Sequence, residues 1–369
     1  MIKKLFYAWL FLMPGAACLA QPGTAANKKI SVIAYYAGDA RSIDQYPVEK
    51  LTHLIFSFCH LKGNRLNVDN AKDSATIKHL VELKKRNPQL KIILSLGGWS
   101  GCETCSAVFA DNTGRNEFAA SVKELNDYFH TDGIDLDWEY PVIEGYPGHL
   151  YQAADKENFT SLIKALRTAL GRKPEISFAA GGFQSYLKQS IDWAKVVPMV
   201  DKINLMTYDL VNGYSRVTGH HTPLYSTPQQ NESTDAAVKY LLSINVPADK
   251  LVIGAAFYGR LFDTDSDGGN GLYQSGKFNH GISYKDLDLA GLGNEGFTAY
   301  WDDTAQAPWL FAAQKKQQFT YDNERSVMLK TKYAISHRLN GIMFWQLGDD
   351  KPVNGLLDAI DKAVQEQDK

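Results

Sequence analysis

Runs of apolar residues and stretches of helical period alternate along the chain from residue 30 onward. Most of the runs are dominated by Ile, Val, Leu and Phe, as expected for strands that are covered on both faces. Eight strands are predicted, at residues 30–36, 53–60, 91–97, 133–140, 175–180, 202–208, 251–258 and 341–347.

Amphipathic helices are predicted between most of these strands. In one, apolar residues recur every three or four positions over 118–129 and share one helical face. In another, over 159–170, the apolar face is followed by Gly171 as the predicted end, and Asp155 is the predicted N-terminal cap.

Eight strand-then-helix units predict an α/β fold, a closed (β/α)8 TIM barrel that occupies residues 28–369. The alternative is an open doubly wound sheet. Such a sheet usually carries a glycine-rich nucleotide loop after its first strand, and the sequence has none there.

The connection over residues 261–320 is too long for a simple strand-to-helix loop and is rich in Gly, Asp and aromatic residues. It predicts a small inserted α+β subdomain between the seventh strand and the seventh helix. The insertion is expected on the C-terminal rim of the barrel, where the active sites of this fold lie.

The first 20 residues have the pattern of a secretion signal. Lys3 and Lys4 precede an apolar stretch at 5–13 that is too short to span a bilayer, and cleavage is predicted before Gln21. A lipid anchor on Cys18 is the alternative. We therefore expect a secreted protein, extracellular or periplasmic, with no membrane-spanning segment.

The most informative segment is 132–139. Because side chains alternate along a strand, Asp135, Asp137 and Glu139 are expected to project into the barrel about 7 Å apart. Burial and mutual repulsion penalise three simultaneous negative charges, so at least one proton should be retained near neutral pH. Glu139, nearest the C-terminal mouth, is the predicted general acid. Asp132 has the opposite parity and is predicted to be structural.

This segment reproduces the DxxDxDxE signature of glycoside hydrolase family 18, and the chain resembles that family from about residue 30 to 350. Further segments match in family order, each at a predicted strand end. They are 95–98 (Ser-Leu-Gly-Gly), 206–209 (Met-Thr-Tyr-Asp), 257–260 (Phe-Tyr-Gly-Arg) and Trp345. The insertion is similar to the chitin insertion domain of the longer chitinases.

The resemblance implies a chitinase that cleaves β-1,4-linked N-acetylglucosamine polymers with retention of configuration. The family uses the substrate's own 2-acetamido group as nucleophile. By resemblance, Asp137 would orient that group and Tyr208 would bond its carbonyl oxygen, while Asp135 acts as the deeper electrostatic partner. The predicted substrate-binding residues are Tyr35, Phe58, Trp99, Met206, Asp209, Tyr258, Arg260 and Trp345.

Several of these assignments leave alternatives open. Asp209 and Arg260 are sugar contacts or a structural charge pair at the mouth of the barrel. Met206 fits packing beneath the site better than direct contact. Trp99 lines the cleft for further sugars or simply packs, and the same two interpretations hold for Trp301 and Trp309.

Composition narrows the partners. A formal net charge of -2 indicates no nucleic-acid or anionic-membrane partner, and a monomer without cofactor is expected. Among the cysteines beyond the signal, Cys102 and Cys105 are predicted to form a local disulfide, with free thiols as the alternative, and Cys59 to be buried and unpaired.

No metal is predicted. The segment 263–268 resembles the start of a calcium loop, but Gln274 stands where an acidic ligand should follow. His220 and His221 lie in a loop without partner ligands at regular spacing.

Two alternative functions share the same motifs. One is a catalytically inactive chitin-binding lectin, which typically loses the terminal acid that Glu139 provides here. The other is an endo-β-N-acetylglucosaminidase acting on N-glycans; the insertion and the Tyr-Gly-Arg segment favour a chitinase.

Overall fold

The computed structural model describes residues 30–367 and, apart from them, Ile2. The predicted signal segment and Cys18 lie outside this part of the chain. The strands within residues 30–367 are β1 (Ser31–Tyr36), β2 (His53–Lys62), β3 (Arg65–Asn67), β4 (Lys91–Gly97), β5 (Gly133–Asp137), β6 (Glu175–Gly181), β7 (Lys202–Met206), β8 (Leu251–Ala256), β9 (Tyr258–Thr264), β10 (Gly276–Ser283), β11 (Thr298–Asp302), β12 (Ala307–Ala312), β13 (Gln317–Thr320) and β14 (Gly341–Trp345).

Eight of these strands form a closed parallel barrel. The order is β1-β14-β8-β7-β6-β5-β4-β2, and a further pairing of β1 with β2 closes the ring. The predicted (β/α)8 barrel is therefore confirmed. All eight strands point the same way, so their C-terminal ends form one rim.

Four predicted strands end earlier than expected. β5, β7, β8 and β14 stop two or three residues before the predicted ends, at Asp137, Met206, Ala256 and Trp345. Beyond these positions the chain leaves the hydrogen-bonded ladder and turns across the rim. The residues concerned include Glu139, Tyr208 and Tyr258, which therefore stand at the mouth of the barrel.

The helices of the same part of the chain are α1 (Ala71–Glu82), α2 (Cys105–Ala110), α3 (Asn112–Phe129), α4 (Asp155–Leu170), α5 (Gln184–Gln189), α6 (Trp193–Val196), α7 (Thr234–Ser243), α8 (Leu289–Asn294), α9 (Glu324–Ser336) and α10 (Leu356–Gln367). They cover the outside of the barrel, except α8, which lies in the connection between β10 and β11. The apolar faces predicted for α3 and α4 pack on the strands: Phe118, Val122, Phe159 and Leu162 are fully buried or nearly so.

The ends of α4 agree with the sequence in part. Gly171, at φ 71°, follows the last helical residue as predicted. The prediction that Asp155 caps the helix is wrong, because Ala154 holds the N-cap position and Asp155 is the first helical residue. The Asp155 side chain is fully buried and bonds to neighbouring segments instead.

Residues 258–320 form a separate antiparallel sheet of order β10-β9-β13-β12-β11. A small core of Leu272, Trp309 and Phe311 belongs to this sheet alone. β9 begins at Tyr258, three residues before the predicted start, and follows β8 after a single residue. The sheet consequently stands directly on the C-terminal rim.

Among the helices that the structure describes, none combines the length and apolar character needed to cross a bilayer.

A buried ion pair behind the barrel gives a stability prediction. Lys330 Nζ donates to Asp322 at 2.6 Å and to Thr222 at 2.5 Å, and both charged side chains are completely buried. Lys330→Met would leave Asp322 without its cation, which typically costs about 3–5 kcal/mol. In urea unfolding we expect a loss of this size.

The matched control lies on the same helix. Lys332 pairs with Glu366 at 2.8 Å with about half of its side chain exposed, 50%. Such pairs contribute up to about 1 kcal/mol, so Lys332→Met should change the free energy of unfolding little. Equal losses for the two variants would contradict this account of the buried pair.

Candidate active site

Asp135 lies at the bottom of the site, on β5, with its side chain fully buried. Its Oδ2 accepts hydrogen bonds from Tyr35 Oη at 3.1 Å and Ser95 Oγ at 2.9 Å. Its Oδ1 accepts from Ser177 Oγ at 2.6 Å and Asn204 Nδ2 at 3.2 Å. Burial raises the pKa of Asp135 above its ordinary value, and the four hydrogen bonds oppose that rise. The carboxyl is therefore fixed in place by uncharged donors.

Asp137 is the next inward residue of β5 and is also buried. Its Oδ1 has no hydrogen-bond partner among the described residues. Burial raises the pKa of Asp137 well above its ordinary value, and the charges of Glu139 and Asp135 raise it further. A protonated Asp137 is thus favoured while its neighbours are ionised, and one of its oxygens is left available.

Two glycines explain how β4 can pass so close to Asp137. A Cβ on Gly97 would lie 2.2 Å from the carbonyl oxygen of Asp137, and the Gly98 N–H donates to that oxygen at 2.9 Å. A Cβ on Gly98 would lie 2.4 Å from the ring of Phe58. Both glycines also have positive φ, at 110° and 81°. The Ser-Leu-Gly-Gly segment is therefore required by the packing around β5.

Glu139 lies two residues beyond the end of β5, partly exposed at the barrel mouth. Burial raises its pKa to about 7, with a hydrogen bond from Tyr140 opposing the rise and the charge of Asp209 adding to it. The charge of Glu139 is also one cause of the raised pKa of Asp137 and of Tyr208. Trp138, the preceding residue, packs among the helices, as strand alternation predicts.

Tyr208 follows β7 and is largely buried. Among the described residues its hydroxyl donates only to the sulfur of Met343, at 3.8 Å, which is a weak acceptor. Burial is the main cause that raises the pKa of Tyr208 well above its ordinary value. Electrostatic interactions with four neighbours raise it further; they are Tyr258, Asp137, Glu139 and Asp209. The phenol therefore stays protonated, as a donor with no strong partner.

Asp209 and Arg260 form a bidentate ion pair, with Nε–Oδ1 at 2.5 Å and Nη2–Oδ2 at 2.6 Å. Burial alone would raise the pKa of Asp209, but His221 and Arg260 hold it well below its ordinary range. The Arg260 guanidinium also lies over the rings of Tyr258 and Phe278, at 5.4 and 5.2 Å. Of the two alternatives, the charge pair is the arrangement found here; their contact with sugar stays a prediction.

Trp345, the last residue of β14, forms an aromatic floor with two neighbours. Its ring stacks on Phe58 at 5.5 Å and 13°, and Tyr35 is tilted against it at 6.0 Å. Trp345 and Phe58 are partly exposed, whereas Tyr35 is buried and bonds to Asp135. Met206 is buried within the same inner cluster, which matches packing beneath the site.

Trp99 lies in the loop after β4 and is 39% exposed. Its ring is surrounded by those of Tyr140, Tyr146 and Tyr214, at 6.4, 5.8 and 6.1 Å. Tyr140 and Tyr146 come from the loop that follows β5, and Tyr214 comes from the loop that follows β7. Trp309, in contrast, is buried in the small core of the insertion, stacked on Tyr300 at 5.0 Å.

The match to known sequences covers the same region as these features. Residues 31–350 match the sequence model of Glycosyl hydrolases family 18. The chain belongs to this family. Every residue of the acid row and of the aromatic floor falls within the matched range.

Relatives of this family-18 chain include two bacterial enzymes. Chitinase A1 of Niallia circulans is 35% identical over 302 residues, which is 75% of this chain but 43% of that protein. Chitinase B of Serratia marcescens is 29% identical over 389 residues, covering 85% of this chain and 76% of that protein. The chain thus spans less than half of Chitinase A1.

Among solved structures, a family 18 N-acetylglucosaminidase from Paenibacillus barengoltzii superposes with a TM-score of 0.82 at 34% identity. The superposition covers 90% of this chain and 99% of that one. Barrel and insertion together therefore superpose on nearly the whole of that solved chain.

Several residues of this family-18 site were missed by the sequence analysis. Ser177 and Asn204 bond to Asp135 from neighbouring strands, and Tyr146 and Tyr214 surround Trp99. A signal existed for the first two, since each is a polar residue inside an otherwise apolar strand. The two tyrosines lie in irregular loops, where no periodicity indicates what they face.

The remaining predicted features lie outside the row of acids. Cys102 and Cys105 are joined by a disulfide with Cα atoms 5.1 Å apart, and Cys59 is a buried free thiol. Residues 30–367 contain no group of three or more His, Cys, Asp or Glu that could hold a metal. Asp263 accepts from Asn279 and Gln317, and His220 pairs with Asp302 at 3.1 Å.

Proposed function

We propose that this family-18 chain is a chitinase that hydrolyses β-1,4 linkages between N-acetylglucosamine units with retention of configuration. The observation that carries the proposal is the graded row of acids in the barrel. Asp135 is fixed by four uncharged donors, Asp137 keeps an unpaired oxygen, and the pKa of Glu139 is raised to about 7 at the mouth.

Glu139 is the proton donor in this proposal. A general acid works best when its pKa lies near the working pH, since it is then protonated yet able to release the proton. Below pH of about 7 the carboxyl carries the proton that the glycosidic oxygen needs. After the leaving group departs, the ionised Glu139 can activate water for the second step.

The nucleophile is the 2-acetamido carbonyl oxygen of the substrate. The charge of Asp209 acts on Glu139, but both carboxylate oxygens of Asp209 accept hydrogen bonds from Arg260. Asp209 is therefore unsuited to attack an anomeric carbon. The unpaired Oδ1 of Asp137 can accept a hydrogen bond from the acetamido N–H. The Tyr208 phenol, with only a sulfur acceptor, can donate to the carbonyl oxygen.

The exposed part of Trp345 fits the apolar face of the sugar at the cleavage point. An indole face can cover ring C–H groups while the sugar hydroxyls point sideways. Phe58 and Tyr35 hold the indole from behind. The antiparallel sheet of residues 258–320 contributes Arg260 and Phe278 to one side of the mouth, which suits the wall of a deep cleft.

The names of the two bacterial relatives, both chitinases, support the substrate class. We further propose that the protein is secreted, on the signal-like pattern of residues 1–20, with a lipid anchor on Cys18 as the alternative. A second candidate is release of single N-acetylglucosamine units. It is favoured by the P. barengoltzii structure, which this chain matches over nearly its whole length.

Chitohexaose separates these activities. For a chitinase we expect dimers to tetramers as the first products in mass spectrometry, with monomer appearing late. Monomer and pentamer appearing together from the start would favour the N-acetylglucosaminidase. Absence of any cleavage by folded protein would contradict an enzyme and favour a chitin-binding lectin. Release of glycans from a denatured glycoprotein would indicate the N-glycan alternative.

A further inference from the structure

The backbone that carries Glu139 is held from behind by α2 and α4. Trp138, the preceding residue, is 3% exposed. Its ring packs between Phe109 of α2, at 5.5 Å, and Phe159 of α4, at 6.3 Å. One side of Glu139 is therefore fixed by apolar contacts to both helices.

The other side of Glu139 is fixed by a buried polar group. Asp155, the first residue of α4, is 0% exposed, and its Oδ1 accepts from Ser106 Oγ of α2 at 2.8 Å. Its Oδ2 accepts from the backbone N–H of Gln152 at 2.9 Å and of Val142 at 3.5 Å. Gln152 also donates from its side chain to Ser106 at 3.0 Å. Both ends of the loop that follows Glu139 thus converge on one carboxyl group.

This loop is in close contact with Glu139 itself. A Cβ on Gly145 would lie 2.1 Å from the Glu139 carbonyl oxygen, so the loop backbone rests directly on that peptide. α2 is anchored in turn, because its first residue, Cys105, is disulfide-bonded to Cys102 in the loop after β4. A shift of the loop would be transmitted to the Glu139 backbone.

We propose that Asp155, together with Ser106, is a positioning residue for proton transfer by Glu139. The inference rests on the proposed function, in which Glu139 is the proton donor. Asp155 touches neither substrate nor the reacting atoms. It acts by fixing the loop whose first residues carry the acid.

The test is Asp155→Asn, a change of nearly equal volume. One side-chain oxygen becomes an N–H donor that faces other donors, so the loop loses part of its anchor. A misplacement of about 1 Å can cost up to about a hundredfold in rate. We expect kcat per folded enzyme on chitohexaose to fall by about tenfold or more, with KM changed by less than about threefold.

The pH profile gives a readout that a purely structural role would not move. Burial is the largest cause of the raised Glu139 pKa, so a loosened loop should lower it. The alkaline limb of kcat, set by loss of the Glu139 proton, should shift to lower pH. The other titratable groups facing Glu139, which should keep their contacts in this variant, are Asp137, Tyr140, Tyr186, Tyr208 and Asp209.

Asp111→Asn is the matched control. Asp111 caps α3, the helix after α2, by accepting from the N–H groups of Thr113 and Gly114 at 3.1 and 3.3 Å. The Asp111→Asn variant should have a lower Tm, but its kcat and the alkaline limb of its pH profile should be unchanged. Ser106→Ala, a milder change, should move kcat and the limb in the same direction as Asp155→Asn and carries the test if that variant does not fold.

Each failure has its own signature. An unmoved alkaline limb and unchanged kcat in folded Asp155→Asn, or in Ser106→Ala, would overturn the positioning role while leaving Glu139 as the acid. Full activity in Glu139→Gln would instead overturn the proposed function itself.

Discussion

Glu139→Gln is expected to lower kcat on a chitooligosaccharide by about a thousandfold, within the range that general acid–base groups contribute. The amide has the same shape but cannot deliver a proton, and it cannot activate water in the second step. Initial rates on a fluorogenic chitobioside and on chitohexaose check this. A substrate whose leaving group needs no protonation should show a smaller loss of rate than the natural oligosaccharide.

Binding and stability should not follow the loss of activity. Since Trp345, Tyr208 and Asp137 are untouched, isothermal titration should give a Kd for chitotetraose within about threefold of wild type. The amide also removes a partly buried acid that burial and the charge of Asp209 keep from ionising. The Tm should therefore stay equal or rise. Glu157→Gln, on the exposed side of α4, is the control and should leave rate and Tm unchanged.

Removing the N-acetyl group from the sugar at the cleavage point should abolish hydrolysis almost completely. The acetamido oxygen is an intramolecular nucleophile, and well-oriented groups of this kind act at effective concentrations of about 10⁵ M or more. We expect kcat/KM on fully deacetylated chitosan oligomers, or on cellulose oligomers, to be at least about a thousandfold below that on chitin oligomers.

Matched tetramers make this a clean comparison, since only the acetyl groups differ. Product analysis by mass spectrometry with a long incubation sets the detection limit. Cleavage of the deacetylated tetramer at a rate similar to chitotetraose would contradict the substrate-assisted mechanism. It would require a protein carboxylate as nucleophile, although Asp209 is committed to Arg260.

The sequence predicts the barrel and the inward-facing row of acids well, because both follow from the regular spacing of apolar residues along strands and helices. Eight apolar runs separated by amphipathic helices lead to one closed sheet. The alternation of Asp135 and Asp137 with Ile134 and Leu136 is determined by the two-residue repeat of a strand. Glu139 fits the alternation although β5 ends at Asp137, so the prediction of a continuous strand to residue 140 was wrong.

Contacts between distant segments could not be predicted in the same way. From its position before an amphipathic segment, Asp155 is predicted to cap a helix. In the folded chain its side chain instead accepts a hydrogen bond from Ser106, 49 residues away in sequence. Asp209 and Arg260 are 51 residues apart; the sequence left a charge pair and a sugar contact as alternatives, and the ion pair is seen only in the fold. Propensity and period describe neighbours along the chain, whereas these partners are brought together by tertiary packing.

Proton transfer by Glu139 requires that this carboxyl group still holds a proton near neutral pH. Difference infrared spectroscopy of wild type against Glu139→Gln, recorded as a function of pH, isolates this carboxyl group. We expect a carboxyl band that disappears with a midpoint at pH of about 7. A midpoint near the ordinary glutamate value of about 4.3 would contradict this expectation.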